Sequence, residues 1–471
     1  MIFSSLSFLI FFIVLLAILS VLPWQRSRKL VLLASSYFFY GSWDYRFCAL
    51  ILASTLIDFF VGAAIHKSSS ARRRKVLLLG SLCANLGALG FFKYYNFFIE
   101  SAKMLLTGWG LEAGSLDIIL PVGISFYTFQ TLSYTIDIYR GRLEPADGFI
   151  DFALFVAFFP QLVAGPIVRA SDFLPQLKRP IRLTGANAWA GGQIFLVGLF
   201  KKLMIADAVS RFVDSVYGYP EYYSSDTVWL AAVGYSLQIY CDFSGYSDMA
   251  IGCARILGFH FDRNFNMPYL SRSVTEFWQR WHISLSTWLR DYLYIPLGGN
   301  RGGQIRTYVN LMLTMLLGGL WHGASWNFVV WGGSHGVALA LHRLWSVRRP
   351  EWAHTARGSA IASVVGWACT FVFVTVVWVL FRSPDTATTI EMFKKLAFVD
   401  SGGAVWAYYS VFLGVGFTVA AHCVGVCRGG RELVFFASPL SYRAAFAALT
   451  VLLYVLLFAP TGVSPFIYFQ F

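Results

Sequence analysis

The chain has 471 residues, of which 57% are hydrophobic and only 13% charged. That excludes an ordinary soluble domain, where charge runs at about 25%. The formal charge of +13 does not imply nucleic acid, because the basic residues do not form one face interleaved with aromatics.

Successive apolar runs are long enough to cross about 30 Å of hydrocarbon, so the chain reads as a polytopic membrane protein. Spans are predicted at roughly 2–23, 30–42, 46–65, 76–95, 118–138, 150–168, 187–205, 228–257, 305–342, 359–381, 404–426 and 441–459. The second is short and 305–342 has room for two, giving about ten to twelve crossings. The first run is followed rather than preceded by positive charge, which reads as a retained span and not a cleaved signal peptide. Basic clusters at Arg26/Arg28/Lys29, at Lys67 with Arg72 to Lys75, and at Arg348/Arg349 lie between apolar runs. There they orient helices by the positive-inside rule, predict an outward N-terminus, and meet anionic membrane lipid. Beyond about residue 150 the runs are rich in Gly, Pro and polar residues. Broken or re-entrant segments of this kind are tolerated where they line a protein cavity. No internal repeat is visible, and residues 1–471 read as a single membrane domain.

Three stretches in the middle of the chain combine polar groups with apolar surroundings. Gly123-Ile-Ser125-Phe-Tyr127-Thr128-Phe-Gln130 is a polar stripe in an apolar run, and Phe159-Pro160-Gln161-Leu-Val-Ala-Gly165-Pro166 holds two prolines that should break a span. Tyr240-Cys-Asp242-Phe-Ser244-Gly-Tyr246-Ser247-Asp248 places two carboxylates and several hydroxyls in a hydrophobic span. Six residues apart, the carboxylates fall on different faces unless the helix breaks at Gly245. They suit either a polar cavity, with a role in holding a histidine, or hydrogen bonding between helices.

Hydropathy falls between residues 258 and 303. Ser273-Val274-Thr275-Glu276 has capping-box spacing and predicts a helix start. From there Trp278, Trp281, Leu285, Trp288, Leu289 and Tyr292 recur along one stripe, with Glu276, Arg280, Arg290 and Asp291 opposite. This predicts one amphipathic helix at the interface or against the core, ended by the turn residues Pro296 to Gly303.

The sharpest signal is His322, in Trp321-His322-Gly323-Ala324-Ser325-Trp326 after an apolar run. An ionisable side chain at membrane depth is a functional-site hypothesis by default, and imidazole takes a proton near neutral pH. Gly318, Gly319 and Gly323 permit close backbone approach beside it. The packing alternative is a buried histidine bonded to a carbonyl or a neighbouring helix. His282, at the edge of the aromatic stripe, suits either substrate orientation or an interfacial position. His335 and His342 follow on the same run, His342 beside Arg343 as an interfacial residue; His66, His260, His354 and His422 receive no role. The seven cysteines show no paired metal-ligand spacing, and Cys423-x-x-x-Cys427 near His422 reads as small apolar packing. There is no Walker loop, dinucleotide fingerprint, zinc motif or nucleophile elbow. A base without a nucleophile of its own suits direct transfer from a bound donor to an acceptor hydroxyl, with no metal or bound cofactor.

The stretches Pro121–Gln130, Phe159–Pro166, Asp242–Asp248, Asn264–Tyr269, Thr275–Tyr294, Gly298-Gly-Asn300-Arg301 and Gly318-Gly-Leu-Trp321-His322-Gly-Ala324 together resemble the membrane-bound O-acyltransferase (MBOAT) family. The nearest branch is that of the alginate O-acetyltransferase membrane subunit. The resemblance covers most of residues 1–345, with 240–345 as the catalytic motif region. It implies an all-α integral membrane fold, a helical ring of tilted and re-entrant helices around a central cavity. It also implies His322 as the catalytic histidine and His282 as the second functional one. Asp242, Ser244, Asp248, Trp321, Asn300 and Arg301 are then expected at the substrate cavity. A cytoplasmic donor, by resemblance acetyl-CoA, would meet an acceptor arriving from the other face of a bacterial inner membrane. The implied partners are a periplasmic serine-hydrolase-like acetyltransferase and polysaccharide synthesis and secretion machinery, with alginate, cellulose or a similar glycan as final acceptor. Two other readings stand beside this one: an acyltransferase for a wall polymer or lipid, and a proton-coupled transporter or flippase.

Overall fold

The computed structural model describes residues 1–108, 114–348, 356–427, 440–459 and 466–467; Arg349 and His354 lie outside the described residues. Among these residues there are helices and no strand, with one isolated bridge between Tyr223 and Ala404. Helices are what a chain this apolar can form at membrane depth, because every backbone group is then satisfied within its own segment. The chain divides into two compact units, residues 1–191 with 250–261 and residues 192–249 with 262–471.

The first unit holds α1 (Leu6–Val21), α2 (Gln25–Asp44), α3 (Cys48–Lys67), α4 (Ala71–Leu89), α5 (Tyr95–Gly108), α6 (Ile124–Tyr139), α7 (Phe149–Ala157), α8 (Phe159–Leu162) and α9 (Ala170–Leu177). Ser5 caps α1 by accepting the Phe8 N–H at 3.2 Å, as a serine at that position should. Asp58 ties α3, α4 and α6 together. Its fully buried carboxyl accepts from Ser81, from Asn85 Nδ2 at 2.8 Å and from Thr135 Oγ1 at 3.0 Å. Such a group is tolerated in an apolar core only because these donors replace water. The prolines act as expected: the run 150–168 is split at Phe158 into α7 and α8, and Pro160 sits in the first turn of α8, where its missing N–H is not needed. Gly123 is left-handed at φ 77°, and a Cβ there would strike the Leu162 carbonyl. The two polar motifs of the first half therefore meet at this glycine.

Helices α10 (Gly185–Phe200) and α12 (Ser225–Ile256) contribute residues to both units. The second unit continues from α10 through a π turn at Lys201–Ala206 to α11 (Asp207–Gly218), then α12, α13 (Val274–Arg280), α14 (Ile283–Leu289), α15 (Gly303–His322), α16 (Trp326–Val347), α17 (Ala356–Arg382), α18 (Thr386–Leu396), α19 (Tyr409–Cys427) and α20 (Tyr442–Phe458). The predicted run 305–342 is two helices, α15 and α16, joined by a short turn after His322. They pack on glycines. A Cβ on Gly319 would overlap the Phe328 carbonyl, and one on Gly332 the Met315 carbonyl. Small residues let backbones approach where apolar burial alone gives no drive.

One local expectation needs correction. The predicted amphipathic helix starts where expected, with Ser273 Oγ accepting the Glu276 N–H at 3.2 Å. Yet it is broken at His282, which adopts a left-handed backbone at φ 42° and separates α13 from α14. The stripe survives the break: Trp281, Leu285, Trp288, Leu289 and Tyr292 are buried, while Glu276 pairs with Arg280 at 2.8 Å. Helix α12, by contrast, is continuous for 32 residues through Gly245. The glycine there serves close approach, since its missing side chain admits the Gly198 carbonyl of α10.

By length and composition Gln25–Lys67, Ala71–Lys103, Gly358–Arg382 and Tyr409–Cys427 are able to cross a membrane, and Leu6–Val21 and Tyr442–Phe458 are shorter apolar helices. Large apolar side chains such as Phe60, Leu413 and Phe446 point outward on them, as lipid contact requires. The α15–α16 seam generates a test. Gly319→Leu should cost at least about 1–3 kcal/mol by overpacking, seen as loss of monodisperse protein and a lower melting temperature in detergent. Gly416→Ala, where a Cβ meets nothing, should leave both unchanged.

Candidate active site

His322 is the last residue of α15, and the chain turns at once into extended backbone at Gly323. A side chain on Gly323 would strike the Phe328 ring, so the glycine lets α16 fold back tightly against the histidine. The imidazole is 3% exposed. Its centroid lies 4.9 Å from Trp321, 5.1 Å from Trp331 and 5.3 Å from Phe381, all edge-on. Trp331 in turn stacks on Trp378 at 5.6 Å. The buried Trp331 Nε1–H has no hydrogen-bond partner among the described residues, so a donor is available beside the imidazole for a substrate oxygen.

His282 belongs to the same cluster. Its ring is 6.5 Å from that of His322, 6.1 Å from Trp321 and 4.6 Å from Phe243 on α12. It is fully buried, and burial pushes its pKa down from 6.5 to about 3. At physiological pH the ring is therefore neutral and keeps both a donor and an acceptor nitrogen.

The polar residues of α12 have definite partners. Asp242 Oδ1 accepts from Lys202 Nζ at 2.5 Å, and the same lysine pairs with Asp207 at 2.9 Å. Asp242 Oδ2 accepts the Ile467 backbone N–H at 2.9 Å. Asp248 pairs with Lys201 at 2.9 Å. Carboxylates six apart diverge on a straight helix, and consecutive lysines in the π turn diverge as well, so each reaches its own partner. Among the described residues neither oxygen of Asp242 is bonded to a histidine. Ser244 is buried, and its Oγ has no partner among the described residues.

Asn300 and Arg301 lie apart from this cluster in character, being exposed in the turn after a π segment at Arg290–Tyr294. Asn300 Oδ1 accepts from Tyr294 Oη at 2.5 Å and from Arg343 Nη1 at 3.2 Å, which fixes the turn. Three further histidines have partners among the described residues. His335 Nδ1 accepts the Trp278 Nε1–H at 3.3 Å, His342 is bonded to Thr275 at 2.9 Å, and His422 to the Tyr240 hydroxyl at 3.1 Å.

Sequence reasoning missed Lys201, Lys202 and Asp207, although two adjacent lysines inside an apolar run were themselves a signal. It also missed Phe466, whose ring stacks on Tyr246 at 4.6 Å and lies 5.7 Å from Phe243. Nothing local to Phe466 marks it, because its partners are more than two hundred residues away in the chain. The Lys202 triad predicts a stability effect. Lys202→Met leaves two buried carboxylates without their cation, which costs about 3–5 kcal/mol and should collapse thermal stability in detergent. Lys201→Met, at a more exposed pair, should cost distinctly less.

Residues 146–383 match the model of the MBOAT, membrane-bound O-acyltransferase family. The chain is 41% identical over 453 residues to the probable alginate O-acetylase AlgI of Pseudomonas aeruginosa, covering 95% of this chain and 85% of that protein. It is 44% identical over 401 residues to the probable alginate O-acetylase AlgI of Azotobacter vinelandii, covering 84% and 78%. It is also 38% identical over 394 residues to the peptidoglycan O-acetyltransferase of Helicobacter pylori, covering 78% and 73%. Identity at this level across most of both chains supports an acyltransferase rather than the transporter alternative. With its apolar helices and its match to these enzymes, the chain belongs to the membrane-bound O-acyltransferase family, on the side similar to the alginate O-acetylases, and is a multi-pass membrane O-acyltransferase.

Proposed function

We propose that this protein is an O-acetyltransferase of the bacterial inner membrane that takes acetyl from acetyl-CoA on the cytoplasmic side and passes it to an extracytoplasmic acceptor for exopolysaccharide acetylation. The observation that carries the reading is the pair of buried imidazoles, His322 and His282, 6.5 Å apart within one aromatic cluster. His322 takes the proton of the acceptor hydroxyl as that oxygen attacks the thioester carbonyl carbon. The carbon–sulfur bond then breaks, and the leaving thiolate recovers the proton from the imidazolium. A neutral His282 donates its N–H to the carbonyl oxygen as negative charge develops there, the stabilisation that preorganised donors give in a dry site. Asp242 and Asp248 act through their lysines, holding the π turn against α12 so that Phe243 and Ser244 line the cavity. Trp321 forms part of the wall, and Asn300 and Arg301 organise the exposed turn that the donor meets.

The acceptor is supported by the relatives named as alginate O-acetylases, and it is either the sugar itself or a serine of a periplasmic acetyltransferase partner. In that setting the protein works with polysaccharide synthesis and secretion machinery and with the surrounding membrane lipid. The Helicobacter relative's name keeps a second acceptor, peptidoglycan, in view. The test is labelled-acetyl transfer in membranes carrying the full chain. His322→Ala should retain folding and lose about 10²- to 10⁴-fold in rate, the span of general-base catalysis. Wild-type transfer by folded His322→Ala would overturn the assignment. Label recovered as an ester on secreted polysaccharide supports the first acceptor, and label on peptidoglycan the second.

A further inference from the structure

The break at His282 raises a physical problem that the chain solves from outside the helix pair. His282 is the N-cap of α14, yet it gives no side-chain cap bond and sits in the left-handed region. A residue there ordinarily uses its own side chain to satisfy the first free N–H groups of the helix. If the imidazole did so, it would be turned back on α14 and lost to the cluster around His322.

Asn264 supplies those bonds instead. Its backbone carbonyl accepts the Ile283 N–H at 2.8 Å. Its Oδ1 accepts the Ser284 N–H at 3.2 Å and the Ser284 hydroxyl at 2.9 Å. Its Nδ2 donates to Ser247 Oγ of α12 at 3.2 Å, four residues on from the Phe243 that packs on the His282 ring. The side chain is 1% exposed. Two residues on, the Asn266 N–H donates to the Arg280 carbonyl at 2.9 Å and so closes the end of α13. Between them Phe265 wedges edge-on against both Phe243 and Trp281, each at 5.0 Å. The three residues 264–266 thus splint both sides of one break, and the splint is anchored to α12.

We propose that Asn264 is the positioning residue for His282: it caps α14 in the histidine's place and frees the imidazole for the His322 cluster. This rests on the functional reading of His282. A misplacement of catalytic geometry by about 1 Å costs up to about a hundredfold. Asn264→Ala should therefore lower kcat by about ten- to hundredfold while leaving KM for acetyl-CoA within about twofold. Asn264→Asp keeps the acceptor for Ser284 and should stay within about fivefold of wild type.

The deciding experiment is a double-mutant cycle, measured as labelled-acetyl transfer from acetyl-CoA in membranes carrying the full chain, with folding checked by size-exclusion. Residues that act through one another are strongly non-additive. In the His282→Ala background, Asn264→Ala should cost nothing further. An additive loss in that background, or a neutral Asn264→Ala alone, would overturn the inference while leaving the role of His282 intact. Unchanged activity in His282→Ala would overturn the functional reading itself. Should Asn264→Ala fail to accumulate, Ser284→Ala takes its place in the same cycle. It should lose about three- to tenfold alone and nothing in the His282→Ala background, and additivity would again count against the proposal.

Discussion

A polar group at membrane depth has to find its partner inside the protein, because hydrocarbon offers none. That constraint organises both units of this chain. Asp58 is surrounded by three neutral donors from neighbouring helices. Asp207 and Asp242 share the single cation of Lys202. The walls around the two central histidines are aromatic, with Trp321, Trp331, Phe381 and Phe243 in ring contact. A neutral imidazole is the titratable group that tolerates such a setting, and it is also a group suited to act as a base.

Glycine makes the arrangement possible at three levels. Gly319 and Gly332 bring the backbones of α15 and α16 together, Gly323 admits the Phe328 ring beside His322, and Gly198 and Gly245 bring α10 against α12 so that the lysines of the π turn reach their carboxylates. Each removes a Cβ where backbone must approach backbone or ring. The cluster around the two histidines is consequently set by short distances between closely packed elements, and rigid packing of this kind is what a precise active geometry requires.

Much of this was legible in the sequence, and the rest was hidden for identifiable reasons. His322 announced itself as an ionisable residue in an apolar run, and Ser273 announced the start of α13. Pro160 announced the break between α7 and α8. The continuation of the amphipathic stripe past His282 was misleading, because a hydrophobic stripe of helical period does not record a single left-handed residue when both flanking turns keep the same buried face. The ion pairs of Asp242 and Asp248 could be framed as alternatives but not chosen, since the deciding partners, Lys202 and Lys201, lie on another helix. Asn264 stood in one of the stretches that resemble the family, with no role assigned to it. Its role exists only through the bonds it makes to Ser284 and Ser247, which no local pattern encodes.

On the proposed reading, acetyl donor and acceptor meet at His322. The most direct measurement is a structure of the full chain in lipid with a non-hydrolysable acetyl-CoA analogue bound. The carbonyl carbon should then lie within about 4 Å of the His322 imidazole, close to a near-attack geometry, with its oxygen toward His282. A carbonyl seated more than about 10 Å from His322, with the aromatic cluster around the two imidazoles undisturbed, would contradict it.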